Sequence, residues 1–261
     1  MITAIIQARM SSTRLPNKVL LTLGGKTVLE NVVERVQKAK YIKEVIVATS
    51  DKKADDEIAR LCEEKKINCF RGSLDDVLDR YYRAAKHFQA EDVCRITGDC
   101  PLIDPKVIDI VAENYLAGKF DYASNTHPPT YPDGLDTEIF SFTALEHAWQ
   151  EAKLLSDREH VTSYIWNNPD KFKIYNVKND IDLSKYRLTI DEDKDYVLLK
   201  EIFSKVAKLT TPNMLEFLDK HQDIKNINSD IIRDEGYAKS IQEDKKIIKN
   251  TPRALPAGRK K

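Results

Sequence analysis

The 261 residues suffice for one large domain with a modest appendage, and their 42 basic and 42 acidic side chains cancel to a pI near 7.0. That balance excludes a whole-surface electrostatic grip on nucleic acid or on an anionic membrane, so positive charge can act only locally. No apolar run approaches the roughly 20 residues of a membrane span, the chain enters a strand-like run at Ile2 without a leader pattern, and Cys62, Cys69, Cys94 and Cys100 lack CxxC spacing; we therefore expect a cytoplasmic protein with buried thiols, with no disulfide framework and no zinc site.

Ile2 to Gln7 reads as a short buried strand. KTVLENVVERVQKAK then places Val28, Leu29, Val32, Val33 and Val36 on one helical stripe. EVIVATS is a second strand, followed by an amphipathic helix from about Asp55 with Ile58, Leu61 and Cys62 inward. INCF is a third strand and DDVLDRYYRAAKHF a third helix; DVCRIT is a fourth strand, and PKVIDIVAENYLAG a helix that starts at proline and stops at glycine. Strands alternating with helices in this way predict a mostly parallel, doubly wound α/β sheet covered on both faces. From about residue 121 the rhythm breaks into a long shaped loop, helices over SFTALEHAWQEAK and EHVTSYIWNN, strands at KFKIYNV and YRLTI, and helices near 196–208 and 213–221. We read residues 1–222 as one α/β domain with a central lobe over about 121–185, 223–250 as an extension, and 251–261 as a disordered basic tail.

The segment after the first strand, ARMSSTRLPNK, gathers Arg9, Ser11, Ser12, Thr13, Arg14 and Lys18 without a glycine. Ligands of parallel sheets bind at the carboxyl ends of strands. Guanidinium forks, an ammonium and hydroxyls there suit a triphosphate, although the loop is neither a P-loop nor a dinucleotide fingerprint; on composition alone it reads equally well as an ordinary solvated loop. Asp99 directly follows the fourth strand, and Asp191 ends RLTID. A carboxylate at the end of a buried strand calls for a cation, and two such groups with phosphate oxygens and waters make a magnesium site. Helix capping is the better reading of Asp193 and Asp195, while Arg80, on a helix with Asp76 and Asp79, could belong to the ligand side or be half of an exposed ion pair. In the lobe, Asn125, Asp136 and Glu138 offer hydrogen bonds to a polar ligand. Arg158 could grip an acidic group or form a structural ion pair, and His160 could serve as a base or as a hydrogen-bonding residue at a helix start.

IIQARMSSTRLPNKVL resembles the opening of the nucleotidylyltransferases that make CMP-activated sugars. The chain is similar to the CMP-3-deoxy-manno-octulosonate synthetases and closer to the spore-coat-polysaccharide SpsF group. The resemblance continues in order through RGSLDDVLDRYYRAA, RITGDCPLID, YPDGLDTEIFSF, DREHVTSYI and RLTIDEDKDY. It implies a Mg²⁺-dependent cytidylyltransferase that joins CMP from CTP to a sugar acceptor, working as a homodimer in polysaccharide synthesis. It implies catalytic roles for Arg14, Lys18 and Asp99, a nucleotide site that includes Arg9, Ser11, Arg71, Ser73 and Thr97, metal binding by Asp99 and Asp191, and an acceptor side at Asn125, Asp136, Glu138, Arg158 and His160. The chain departs from the octulosonate enzymes at Thr97 (glutamine there), Cys100 (glutamate) and Asn17 (usually glycine), which leaves the acceptor sugar open. A glycosyltransferase using DED at 191–193 as a metal motif, or a silent assembly partner, would be the competing readings.

Overall fold

In the computed structural model of the chain, which describes residues 1–250, seven strands form one sheet in the order β5-β4-β1-β6-β8-β7-β9. The tail 251–261, expected to be disordered, lies outside the described residues. In chain order the elements are β1 (Ile2–Gln7), a small hairpin β2 (Thr22–Leu23) and β3 (Lys26–Thr27), α1 (Val28–Val36), β4 (Ile42–Ser50), α2 (Asp56–Lys65), β5 (Asn68–Gly72), α3 (Val77–His87), β6 (Asp92–Thr97) and α4 (Pro105–Gly118). Then follow β7 (Tyr122–Ser124), β8 (Glu138–Ser141), α5 (Phe142–Glu151), α6 (Leu155–His160), α7 (Ser163–Trp166), β9 (Ile174–Asn176), α8 (Asp193–Lys205), α9 (Thr211–Lys220), α10 (Gln222–Lys225) and α11 (Glu235–Asn250).

The doubly wound α/β expectation holds. β1 pairs in parallel with β4 and β6, and β4 with β5, while β8 runs antiparallel to β6 and β7. Alternation along β1 sends Ala4 and Ile6 into one core with α1, α2 and α4, and Ile5 into another with α3 and α5. Both faces are thus dry, as a central parallel strand requires. Helix starts follow their caps: Thr27 and Glu30 exchange hydrogen bonds in a capping box at α1, worth about 1 kcal/mol, and Asp104 caps α4 just before Pro105. All four cysteines are free thiols. Strands β7, β8 and β9 extend the main sheet, so the segment after residue 121 is continuous with the core.

Two expected elements differ. RLTI makes no strand: its main chain meets the rest through an isolated bridge, Asp133 to Arg187, and single bonds such as Ile190 N to Asp99 O at 2.9 Å, while Leu188 and Ile190 are buried in the cluster under α8. It threads between two loops, neither of which offers a continuous ladder. The helix expected over EHVTSYIWNN is two short ones, broken at Val161 (φ 63°), which lets Thr162 donate to Glu138 at 2.5 Å.

β1 is the switch point of the sheet: β4 and β5 wind away on one side, β6 on the other. Gly98 follows β6 with its N–H on Gln7 O at 2.8 Å, and a Cβ there would sit 2.8 Å from that same oxygen. Glycine therefore lets the ends of β1 and β6 close on each other, leaving a crevice beyond them.

Candidate active site

The loop after β1 is held in shape by its backbone. Met10 N donates to buried Asp55 at 2.7 Å, Asn17 N to Met10 O at 3.2 Å, and Leu15 packs into the cluster under α8. Asn17 adopts a left-handed conformation (φ 60°), which asparagine tolerates better than most residues. The chain then winds one short turn that turns Lys18 inward. The result is a cleft of about 500 Å³ whose walls include Arg9, Ser11, Arg14, Lys18, Thr97 and Asp99.

At one end of the cleft, Lys18 Nζ donates to Asp99 Oδ2 at 2.5 Å, to Asp191 Oδ1 at 2.8 Å and to Ile190 O at 2.9 Å. Burial opposes the ammonium, but the two carboxylates outweigh it and raise the lysine's pKa above its ordinary value. Burial likewise opposes ionisation of Asp99; the Lys18 charge and its hydrogen bond win, holding that carboxyl down to about 2. Arg14 reaches Asp191 at 2.9 Å. Behind it Arg187, almost fully buried, binds Asp191 at 2.9 Å, Asp195 at 2.8 Å and Asp133 at 2.6 Å. Asp195 in turn accepts the N–H groups of Asp191 and Glu192, so the loop carrying Asp191 is fixed from both main chain and side chain.

Among the residues expected from sequence, Arg9, Ser11, Arg14, Lys18, Thr97, Asp99, His160 and Asp191 share this cleft. Two nucleotide-side candidates lie outside its walls. Arg71 donates to Ser50 O and Lys52 O, both at 2.9 Å, and pairs with Asp56 at 2.7 Å; Ser73 Oγ accepts from Asp76 N at 3.0 Å. Both are occupied in shaping the turns beside β5, an edge strand of the sheet. Four acceptor-side candidates also lie apart. Asn125 is fully buried and ties its loop together through Leu135 O and Thr137 N, each at 2.9 Å. Glu138 sits opposite Arg95 across β6 and β8, pairs with it, and also accepts from Tyr122 at 2.6 Å. Asp136 pairs with Arg233, while burial raises its carboxyl above the ordinary range. Arg158 grips Asp76, at 2.6 Å from one oxygen, and Trp149 O, which makes it the structural ion pair.

The sequence reading missed three arginines. Arg80 lines the cleft at 1 % exposure, donates to Ser73 O at 2.5 Å, and leaves its Nε without a partner among the described residues; it is no surface ion pair. Its position within the apolar stripe of Val77, Tyr81 and Ala84 is the signal that could have found it. Arg95 lies inside β6, where a charge must find a partner across the sheet. Arg187 has Asp191 and Asp195 four and eight residues ahead of it, but its third carboxylate, Asp133, comes from a distant loop that local order does not reveal. His160 reaches Ser240 Oγ at 3.0 Å, and burial lowers its pKa, favouring the neutral ring.

A model of the cytidylyltransferases matches residues 3–235 of this chain. The chain belongs to the cytidylyltransferase family. It is therefore a nucleotidyltransferase. The enzyme is 44 % identical over 234 residues to an uncharacterized protein of Methanocaldococcus jannaschii, covering 88 % of this chain and 95 % of that one. It is 33 % identical over 234 residues to the spore coat polysaccharide biosynthesis protein SpsF of Bacillus subtilis, over 84 % and 94 % of the two chains. Among solved structures, a cytidylyltransferase from Leptospira borgpetersenii superposes with a TM-score of 0.82 at 36 % identity, covering 86 % of this chain and 97 % of that one. Among the described residues no helix of the enzyme is long and apolar enough to cross a membrane.

Proposed function

We propose that this cytidylyltransferase joins CMP from CTP to a hydroxyl of an acidic keto-sugar, with release of pyrophosphate, for the synthesis of a surface polysaccharide. The observation that carries this reading is the convergence of Asp99 and Asp191 on one ammonium beside Arg14, at the mouth of the β1–β6 crevice. The acceptor oxygen attacks the α-phosphorus, the bond to the β-phosphate breaks, and the hydroxyl proton passes to solvent or a nearby carboxylate. Chemistry of this kind needs positioning and charge neutralisation more than covalent help from the protein. Arg9 and Arg14 present guanidinium forks to phosphate oxygens, with Ser11 beside them, and Lys18 neutralises the leaving pyrophosphate. Thr97 and Arg80 line the nucleotide end, and His160 stands as an uncharged hydrogen-bonding partner.

The donor set fits a divalent cation. Two carboxylates approach one point within 2.8 Å of a shared positive group, although no cluster of three or more metal-binding side chains occurs among the described residues. Mg²⁺ is commonly held by one or two carboxylates together with substrate phosphates. Asp99 and Asp191 would hold it, and when bound it supplies charge to the α-phosphate and lowers the cost of bringing the nucleophile to it. The glycosyltransferase reading loses its support, because Asp193, the second carboxylate of that motif, opens α8 and does not line the cleft.

The polysaccharide role follows the name borne by the SpsF relative. Homodimerisation is supported by the sheet edge at β9, where Tyr175 is exposed and stacks on Phe120, and by the exposed Leu116 and Ile110 of α4. We place the enzyme in the cytoplasm, where CTP is made. The reading is tested by pyrophosphate release with Mg²⁺ and CTP across acidic eight- and nine-carbon sugars and sugar phosphates, beside Asp99→Ala. Release with one acceptor and none from the variant supports it. Failure of the wild-type chain to bind Mg-CTP by calorimetry sinks it.

A further inference from the structure

The family match ends at residue 235, yet the cleft is bounded beyond that point by α11. Glu235, Gly236, Lys239, Ser240 and Glu243 line it at the spacing of one helical face. A second set of α11 side chains docks the helix on its neighbours. Asp244 Oδ1 accepts the N–H groups of Leu155 and Ser156 at 3.1 and 3.4 Å, capping α6. Tyr237 packs edge-on against Trp166 and His160 and accepts from Asn167 at 3.2 Å. The cleft wall on this side is therefore a helix that docks on α6 and α7 through polar bonds and ring contacts.

Where α11 meets the phosphate loop, the contacts are ionic and loose. Arg14 lies 3.6 Å from Glu235, and Arg9 lies 3.9 Å from Glu159 of α6. The other oxygen of Glu159 accepts from Ser240 of α11 at 2.8 Å, so the helix sets the position of both carboxylates. The four side chains are 34–44 % exposed, and such pairs are weak. The chain entering α11 has a pivot. Arg233 is anchored on Asp136 and on Tyr131 O, Asp234 takes a left-handed conformation (φ 60°), and Gly236 has open space around its Cβ position.

We infer that α11 is a gate on the nucleotide site, in which Glu235 and Glu159 compete with the triphosphate for Arg14 and Arg9, so that the nucleotide enters as α11 swings out about residues 234–236. The inference rests on the nucleotide reading above. It follows from charge: while one nitrogen of Arg14 stays on Asp191, the nitrogen facing Glu235 cannot present the same N–H to a phosphate, and the carboxylates of Glu159 and of Glu235, the latter partly offset by Lys239 at 3.1 Å, repel the polyanion. The weakness of each pair makes the exchange easy while slowing adventitious anions. The charge can be removed without removing the contact, because a glutamine at position 159 keeps an acceptor for the Ser240 hydroxyl.

The test titrates Mg-CTP into the full chain by calorimetry, comparing wild type with E159Q/E235Q, with melting temperatures as a control for folding. We expect the double variant to bind about two- to ten-fold tighter at an unchanged melting temperature. In wild type, Mg-CTP should speed amide hydrogen exchange over 237–244; this second measurement needs no variant. Equal or weaker binding by the variant, or slower exchange over 237–244 with Mg-CTP, overturns the gate while leaving the nucleotide reading standing. No binding by wild type overturns both.

Discussion

Lys18 Nζ stands 2.5 Å from Asp99 and 2.8 Å from Asp191, so one ammonium ties together carboxylates 81 and 173 residues away in the chain. The three groups depend on one another. Replacing Lys18 by Met leaves two carboxylates, each about one-fifth exposed, facing each other across a few ångströms. We expect pyrophosphate release to fall at least 100-fold and stability to drop by about 3 kcal/mol, read by turnover and chemical denaturation. A variant with near-normal turnover would show that the lysine serves structure alone.

The same contact makes stability depend on pH. Asp99 titrates near 3.8 in an unfolded chain and near 2 in the folded one, because the Lys18 charge overcomes the burial penalty. A depressed carboxylate stabilises above its unfolded value and loses that contribution as pH falls through the folded one. Wild type should therefore lose about 2 kcal/mol more than Asp99→Asn between pH 5 and pH 2. Parallel denaturation curves for the two proteins over that window would remove the argument.

Arg187 holds three carboxylates from the side away from the cleft. In Arg187→Met they lose their common cation, and Asp195 has no solvent to turn to. A loss of 3–5 kcal/mol is expected, as for other broken buried pairs. Arg187→Lys should recover less than half, because an ammonium cannot reproduce the guanidinium fork. Thermal melts of the three proteins decide it.

Arg71 and Arg14 give a contrast that separates the sequence reading from the structure. Arg71 bonds to Ser50 O, Lys52 O and Asp56 away from the cleft wall; Arg14 faces the cleft. Arg71→Ala should leave the KM for CTP within about two-fold, with stability lowered by about 1 kcal/mol. Arg14→Ala should raise that KM by about ten-fold or more, the loss of a charge-assisted phosphate contact. The reverse ordering would return Arg71 to the nucleotide.

Much of this molecule is legible in the chain itself. Alternating strands and helices, the capping box at Thr27, the proline start of α4 and the charge-rich loop before Lys18 are all local patterns, with periods and spacings fixed by backbone geometry. Asp99 stands out because an ionised group at the end of a buried strand demands a partner. Other assignments depend on which distant groups fold into reach. Arg71 and Arg80 are nine residues apart in one motif, yet Arg71 finds carbonyls and Asp56 outside the cleft, while Arg80 is carried inward on the apolar face of α3. Arg158 closes on Asp76 across 82 residues, and α11 reaches the loop after β1 from the far end of the described chain. Local propensity acts over a few residues and is written in their order. A charged side chain ends wherever packing brings its best counter-charge, and only the closed tertiary structure decides that.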